Sequence, residues 1–296
     1  MNFQVKECIY SWYMMDFKKI FKDMNIRGNR MFFKVFQTLK PMIIENIQMV
    51  LNNRRKYQTG RPIKIDLSKF LDAVYFLCES GSQFGCVKEF FGIPKTTFYR
   101  YFRLLIDYRI LQNIYYILIG HLDSPSLLIT DTFIVKSMRG SVGLGRNPTD
   151  RGRKGLKVSL ICDENRITRA VHIGASNTHD SKMLLPTIQS LSPIEDQVKC
   201  LCDSAYIGRQ LASDCLKKNI NLIVKPKMIG KSRKISHRLT SEDDQLLKKF
   251  RNRIELLNGQ IRRFRSLMIK WVRDIRSYEC FLFVALLSIA FYQFPL

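Results

Sequence analysis

The sequence is poor in what small metal-stapled or secreted domains depend on. Of 296 residues, eight are cysteine and four are histidine. No two cysteines have C-x-x-C spacing, which argues against a zinc finger or ribbon. Several cysteines sit in apolar runs, as in Leu160-Ile161-Cys162 and Leu201-Cys202, the pattern of small buried hydrophobes in a reducing compartment. A membrane span needs about 20 apolar residues. The strongest apolar run, Phe281 to Phe294, is shorter and carries Ser288, Tyr292 and Gln293, so a buried terminal helix is expected and a membrane partner is not. The first residues mix acids with bases and lack the apolar segment of a signal peptide, so secretion is not expected. There is no repeat and no low-complexity tract.

Acid is also scarce. Lysine and arginine total 49 against 25 aspartates and glutamates, a net charge of +24. Such an excess suits a polyanionic partner, most commonly nucleic acid. A basic structural or ribosomal protein would share the charge but would need no metal. With 46% apolar residues the chain can bury a core, and its length allows one large or two modest domains.

Three segments are expected: a basic helical region at 1–61, a helix-turn-helix-like region at 62–120, and an α/β domain at 121–296. In the first, Pro41 and the run Asn52-Asn53-Arg54-Arg55-Lys56 interrupt the helical pattern, with a linker near 52–62. In the second, Asp66 can cap a helix carrying Phe70, Leu71, Val74 and Leu77, which Ser80-Gly81-Ser82 ends. A short helix from Val87 to Phe91, the turn Gly92-Ile93-Pro94 and a helix capped by Thr96 follow. That helix opens with Lys95, Thr96, Thr97, Tyr99 and Arg100, side chains suited to a DNA groove, while Phe98 and Leu105 face the core. An ordinary helical hairpin would have the same pattern.

From residue 124 the pattern changes. Strands are expected at 127–135, 156–162, 167–173, 198–202 and 221–224. Asp163-Glu164-Asn165 makes a turn, and Asp180 caps a helix. A second helix covers 208–218, and a long one runs from Thr240 or Ser241 to about 268 with Glu242, Asp243 and Asp244 in its first turn. The order β-β-β-α-β-α-β-α is that of an RNase H-like mixed sheet with helices packed against it.

Asp131 lies within the apolar run Ile129–Phe133, where a carboxylate is costly unless paired or metal-bound. Asp203 ends the fourth strand, a neighbour of the first in such a sheet. Glu255 shares a helix face with Lys248, Arg251 and Arg262, beside an apolar stripe of Leu247, Ile254, Leu257 and Ile261. Asp163, Asp180, Asp150 and Asp243 look like turn, cap or loop residues. Three converging acids are what two-metal phosphodiester chemistry requires, with ions about 3.5–4 Å apart. Two basic zones flank them. Residues 134–157 carry seven bases and one acid, net +6, among five glycines, as a flexible loop would. Residues 225–276 carry 16 bases and five acids, net +11.

Asp131-Thr132, Asn147 to Lys157, His179-Asp180-Ser181-Lys182 and Asp203-Ser204-Ala205-Tyr206 resemble the catalytic blocks of DDE transposases, nearest the insertion-sequence-five family and the related PIF/Harbinger superfamily. The last block of these families spaces Tyr, Arg, Glu and Lys as Lys248, Arg251, Glu255 and Arg262 are spaced here, with Tyr and Lys replaced. The resemblance covers about 125–290. It implies two Mg²⁺ or Mn²⁺ ions on Asp131, Asp203 and Glu255, and no small-molecule cofactor. It also implies cleavage at terminal inverted repeats and joining to target DNA by a homo-oligomer, in the cytoplasm of a bacterium or the nucleus of a eukaryote. Arg151, Arg153, Lys154, Lys157, Arg251 and Arg262 would meet phosphates. The competing readings are a catalytically inactive, domesticated DNA-binding protein and an RNase H-fold nuclease that does not join.

Overall fold

The computed structural model describes residues 31–54, 65–140, 142–147, 150–229, 234–235 and 238–290. The expectations for residues 1–30 and most of the linker lie outside them. The described residues form two compact units. One comprises those up to Ile117, Phe264–Leu267 and those from Asp274 on; the other comprises Leu118–Arg263 and Met268–Arg273. This division groups Phe264–Leu267 and the described residues from Asp274 on with the helical unit. The described part of the apolar terminal run, up to Ala290, is buried and packs with the helices of that unit.

The helical unit begins with α1 (Met31–Arg54), α2 (Leu67–Ser80), α3 (Cys86–Phe91), α4 (Lys95–Asp107) and α5 (Ile110–Gly120), whose last residues belong to the other unit. α1 runs through Pro41 rather than breaking there. An interior proline costs a helix about 3 kcal/mol. Here burial of Val35, Phe36, Leu39, Ile43 and Ile47 on one face, with Lys40 bonded to Asp72 at 2.9 Å, outweighs it. Asp66 caps α2 as expected, accepting from the Ser68 and Lys69 N–H groups, and Gly81 closes it with φ 70°, a left-handed conformation suited to glycine. Gly92, at φ 65°, ends α3 in the same way. α4 starts at Pro94, not through Thr96: the Phe98 N–H bonds the Pro94 carbonyl, and no side chain caps the helix. Phe98 and Leu105 are buried.

The α/β unit is built on β1 (Leu127–Ser137), β2 (Gly145–Arg146), β3 (Lys154–Asp163), β4 (Thr168–Ala175), α6 (Asp180–Ile188), β5 (Val198–Cys202), a 3₁₀ turn at Ser204–Tyr206, α7 (Arg209–Leu216) and β6 (Ile220–Val224). Its main strand order is β4-β3-β1-β5-β6. β1, β3 and β4 pair antiparallel; β1, β5 and β6 pair parallel. That is the expected RNase H-like sheet. Its central strands are apolar on both faces, as strands covered on both sides must be. Leu128, Ile161, Ala170, Leu184, Cys200 and Cys202 form the core under α6 and α7.

The small strands β7 (Met228–Ile229) and β8 (Lys234–Ile235) form a separate ribbon. The expected long last helix is α8 (Ser241–Phe250) followed by α9 (Asn252–Ile261). Thr240 caps α8, and the backbone stays right-handed helical through Arg251, so the two run on as one rod with an irregularity. The rod stops short of 268. Its last turn tightens, with the Arg263 N–H on the Gln260 carbonyl, before Phe264 enters the core of the helical unit. α10 (Arg265–Met268), β9 (Ile269–Lys270), which pairs with Lys136 and Ser137 of β1, and the buried α11 (Ile275–Ala290) complete the chain. No described helix is long and apolar enough to cross a membrane.

Candidate active site

The parallel register of β1 and β5 pairs Leu127 with Lys199, Leu128 with Cys200 and Ile129 with Leu201. Two residues further, Asp131 and Asp203 stand level on adjoining strands and project to the same face. Asp203 turns its carboxylate back to cap the 3₁₀ turn, accepting from the Ser204 N–H at 2.7 Å. Asp131 accepts from the Thr132 N–H at 2.8 Å on Oδ1 and from Asn258 Nδ2 at 3.2 Å on Oδ2. Burial pushes the Asp131 carboxyl up. The Thr132 N–H and the Arg251 charge pull it down, Asp180 and Asp203 push it up again, and the balance is upward. Carboxylates gathered in this way favour a cation beside them.

The α8–α9 rod supplies that face with two cations, Arg251 and Arg262. Arg251 Nη2 lies 3.1 Å from Asp203 Oδ2. Seven residues on, Asn258 bonds Asp131, and Arg262 lies over the Phe133 ring at 5.7 Å. Glu255 sits four residues after Arg251, three before Asn258 and seven before Arg262. Positions so spaced share one side of a helix. Its side chain is exposed. Among the described residues no group of three or more His, Cys, Asp and Glu side chains converges closely enough to hold a metal. The two aspartates are therefore brought together, and the glutamate is placed on the stripe that touches both. The donors are oxygens only, the set that Mg²⁺ and Mn²⁺ prefer.

Behind this face, on the opposite side of β1, stands a cluster not anticipated from sequence. Lys157 pairs across to Ile134, and Ser159 to Thr132. Lys157 Nζ bonds the Thr178 carbonyl at 2.6 Å and Asp180 Oδ1 at 2.7 Å; the Thr132 hydroxyl donates to the same Asp180 oxygen at 2.8 Å. Lys157 is only 8% exposed, so its charge serves Asp180 and is not offered to a phosphate, contrary to the expectation. Nor does Asp180 cap α6. His179 does, through its ring, and Asp180 occupies the first helical turn with its carboxylate directed at Lys157. The physical reason is reach: from the first turn the acid satisfies a buried ammonium, which a cap position would leave unpaired.

The expected flexible loop at 134–157 is ordered at both ends. β1 continues to Ser137, and β2 and β3 form a hairpin closed by the Asn147 N–H on the Arg153 carbonyl. Arg151 and Gly152 take positive φ, 50° and 69°, in its turn. The turn carries Arg151, Arg153 and Lys154 outward, all exposed. In the helical unit, Lys95, Thr96, Tyr99 and Arg100 are exposed along the start of α4, and Thr97 is half-buried.

Over 73 residues, 24% of the chain, the sequence is 38% identical to a Burkholderia cepacia protein described as a candidate transposase for insertion sequence element IS402. The match spans 35% of that relative's length. Among solved structures, the chain is similar to the piggyBac transposase synaptic complex with hairpin DNA, at TM-score 0.47 and 9% identity over 91% of this chain and 76% of that one. It is also similar to the Mos1 transposase paired-end complex, at TM-score 0.25 and 10% identity over 75% of this chain and 86% of that one. Residues 122–290, which hold all three acids and the whole sheet, match the family described as transposase DDE domain, and the chain belongs to that family.

Proposed function

We propose that this protein is a DNA transposase that cleaves at the terminal inverted repeats of a mobile element and joins the freed ends to target DNA. One observation carries the reading. Asp131 and Asp203 stand level on the two central parallel strands, under a helical stripe that bears Glu255 between Arg251 and Asn258. Asp131, Asp203 and Glu255 would hold two Mg²⁺ or Mn²⁺ ions. Such ions, when bound, activate the attacking oxygen and stabilise the departing one. The chain's own part is placement. The Thr132 N–H and the Asn258 amide fix the two Asp131 oxygens, and the Ser204 N–H fixes Asp203. Arg251 and Arg262 meet phosphates beside the acids, and Arg151, Arg153 and Lys154 hold the backbone further out. Lys95, Thr96, Thr97, Tyr99 and Arg100 on α4 read the repeat. Two ends must be paired, so the active form is a homo-oligomer on DNA. The insertion-sequence-five and PIF/Harbinger-like grouping, resting on the blocks at Asp131, Asp180 and Asp203, belongs to this proposal.

The test is an incubation of the purified protein with labelled DNA carrying the element's own ends and Mg²⁺ or Mn²⁺, with EDTA as control. Wild type should yield cleaved and joined products. Asp131→Ala, Asp203→Ala and Glu255→Ala should yield none while still shifting the DNA in a gel. Binding without cutting under either metal would overturn the catalytic reading in favour of a domesticated DNA-binding protein, and cutting without joining would favour a nuclease.

A further inference from the structure

We infer that Asn258 is a positioning residue that couples the third acid to the first: its bond to Asp131 sets where Glu255 stands. This rests on the proposed two-metal reading of the same site.

Asn258 is 8% exposed, on α9, with Nδ2 3.2 Å from Asp131 Oδ2. Its other amide atom, Oδ1, is buried and has no hydrogen-bond partner. A stranded buried acceptor costs about 1–3 kcal/mol. A leucine has the same branched outline and the same number of side-chain heavy atoms, and it could occupy this buried position without stranding an oxygen. Packing alone therefore does not account for an amide here. What the amide does that leucine cannot is donate to Asp131.

That one bond has two consequences. The first is local. Together with the Thr132 N–H at 2.8 Å it gives each Asp131 oxygen a fixed donor, which sets the carboxylate plane and leaves the remaining lone pairs free. The second concerns the helix. Glu255 precedes Asn258 by three residues, so it lies within one turn and about 4.5 Å along the axis. The two other side chains of the stripe with partners on the sheet face are Arg251 on Asp203 and Arg262 over Phe133. An arginine is long and reaches a carboxylate from many helix positions. An asparagine is short and does so from few. The Asn258–Asp131 bond is thus the contact that fixes the rotation and height of the rod against β1, and with them the side of the rod from which Glu255 extends. Partners of this kind, one bond removed from a metal ligand, typically alter metal affinity by about 10–100-fold when removed.

The readout is Mn²⁺ binding by the full-length protein, followed by the loss of the free-ion paramagnetic resonance signal and without DNA. The set is wild type, Asp131→Ala, Glu255→Ala, Asn258→Ala, Asn258→Leu and the double variant Glu255→Ala/Asn258→Ala, each with a thermal melt. If Asn258 acts by placing Glu255, Asn258→Ala and Asn258→Leu weaken Mn²⁺ binding about tenfold or more. In the Glu255→Ala background, Asn258→Ala then costs clearly less than it does in wild type, because the residue it places is gone and only its hold on the Asp131 carboxylate remains to be lost. Alanine is smaller than asparagine and leucine is bulkier, so weakened binding that both variants share while melting like wild type belongs to the lost bond and not to a change of volume. Mn²⁺ binding unchanged in both single Asn258 variants overturns the inference, and so do fully additive losses in the double variant. If wild type binds no Mn²⁺, or Asp131→Ala binds it as well as wild type, the metal reading of the site falls and takes this inference with it. If wild type binds, Asp131→Ala does not and Asn258→Leu does, only the inference falls.

Discussion

Arg251 Nη2 lies 3.1 Å from Oδ2 of Asp203, with the two side chains 30% and 41% exposed. The guanidinium covers a carboxylate oxygen that a divalent ion would use, and under the proposed function it would also meet a phosphate held beside Asp203. A half-exposed ion pair contributes little, about 0.2–1 kcal/mol. Displacing it for a metal is correspondingly cheap, so the pair acts as a placeholder and not as a lock. Arg251→Ala should therefore tighten Mn²⁺ binding modestly, about two- to fivefold at low ionic strength. DNA cleavage should fall far more, because the phosphate loses its bidentate partner. Weaker Mn²⁺ binding in Arg251→Ala would show that the arginine holds Asp203 in place for the metal and does not compete with it.

Lys157 and Lys154 are three residues apart on β3 and have opposite fates. Lys154 is exposed on the hairpin, whereas Lys157 is buried against Asp180. Replacing Lys154 or Arg153 with alanine should lower DNA affinity and reduce the slope of log affinity against log salt by about 1 each. Lys157→Met should leave that slope unchanged while lowering the melting temperature. Equal salt slopes for Lys154→Ala and wild type would remove the hairpin from the DNA path.

The strand order, and the placement of Asp131 and Asp203 on adjoining strands with Glu255 on the last helical rod, were legible because each has a local signature. Asp131 interrupts an apolar strand, Asp203 ends one, and Glu255 sits at a fixed helical offset from Arg251. The cluster behind β1 was not legible. Asp180, in the sequence Thr178-His179-Asp180-Ser181, has the composition of a helix cap, and nothing local tells which of His179 and Asp180 caps. Its partners Lys157 and Thr132 are 23 and 48 positions away and meet it only through the β1–β3 register. Lys157 likewise looked like one more base in a basic stretch, because burial is set by the sheet. Pro41 misled for a related reason: helix propensity is local, and the burial that overrides it comes from the rest of the fold. Asn258 leaves only a faint signal, a polar residue at the border between the apolar stripe of Ile254, Leu257 and Ile261 and the stripe of Arg251, Glu255 and Arg262.

Gly155 was part of what made the segment look flexible, and the structure gives it a different duty. It is buried, and a Cβ added there would lie 2.7 Å from the Val135 carbonyl oxygen and 3.4 Å from the Ser176 side chain. The obstacle is the backbone of β1, which cannot rotate away as a side chain could. Gly155→Ala should cost about 1–3 kcal/mol and lower the melting temperature by several degrees. By contrast, Gly152 has open space around it but a φ of 69°, so Gly152→Ala should cost only the local strain of about 1–2 kcal/mol. A Gly155→Ala variant that melts like wild type would mean that β1 and β3 can move apart at this point.

Asp180 gives a pH-dependent prediction whose sign follows from its surroundings. Burial alone would push its carboxyl up. The bonds from Lys157 and Thr132 outweigh burial and hold it below its ordinary value of 3.8. A carboxylate whose folded value is depressed stabilises the fold fully above its unfolded value and loses that contribution as pH falls through the folded one. The contribution should therefore be constant from pH 5 to 8 and fade below about pH 4. Asp180→Asn removes the charge that Lys157 faces and should cost about 2 kcal/mol at pH 7, in the range of a hydrogen bond to a charged group. At pH 3 wild type and Asp180→Asn should draw closer in stability, because that pH lies below the ordinary value of the unfolded acid, where the contribution of a depressed carboxyl is already being lost. Urea unfolding of both proteins at pH 7, 5 and 3 measures this directly. A gap at pH 3 as wide as at pH 7 would mean that the carboxylate acts through packing and not through its charge. The Lys157–Asp180–Thr132 cluster would then be an ordinary piece of core behind Asp131 and not an electrostatic pin on the catalytic strand.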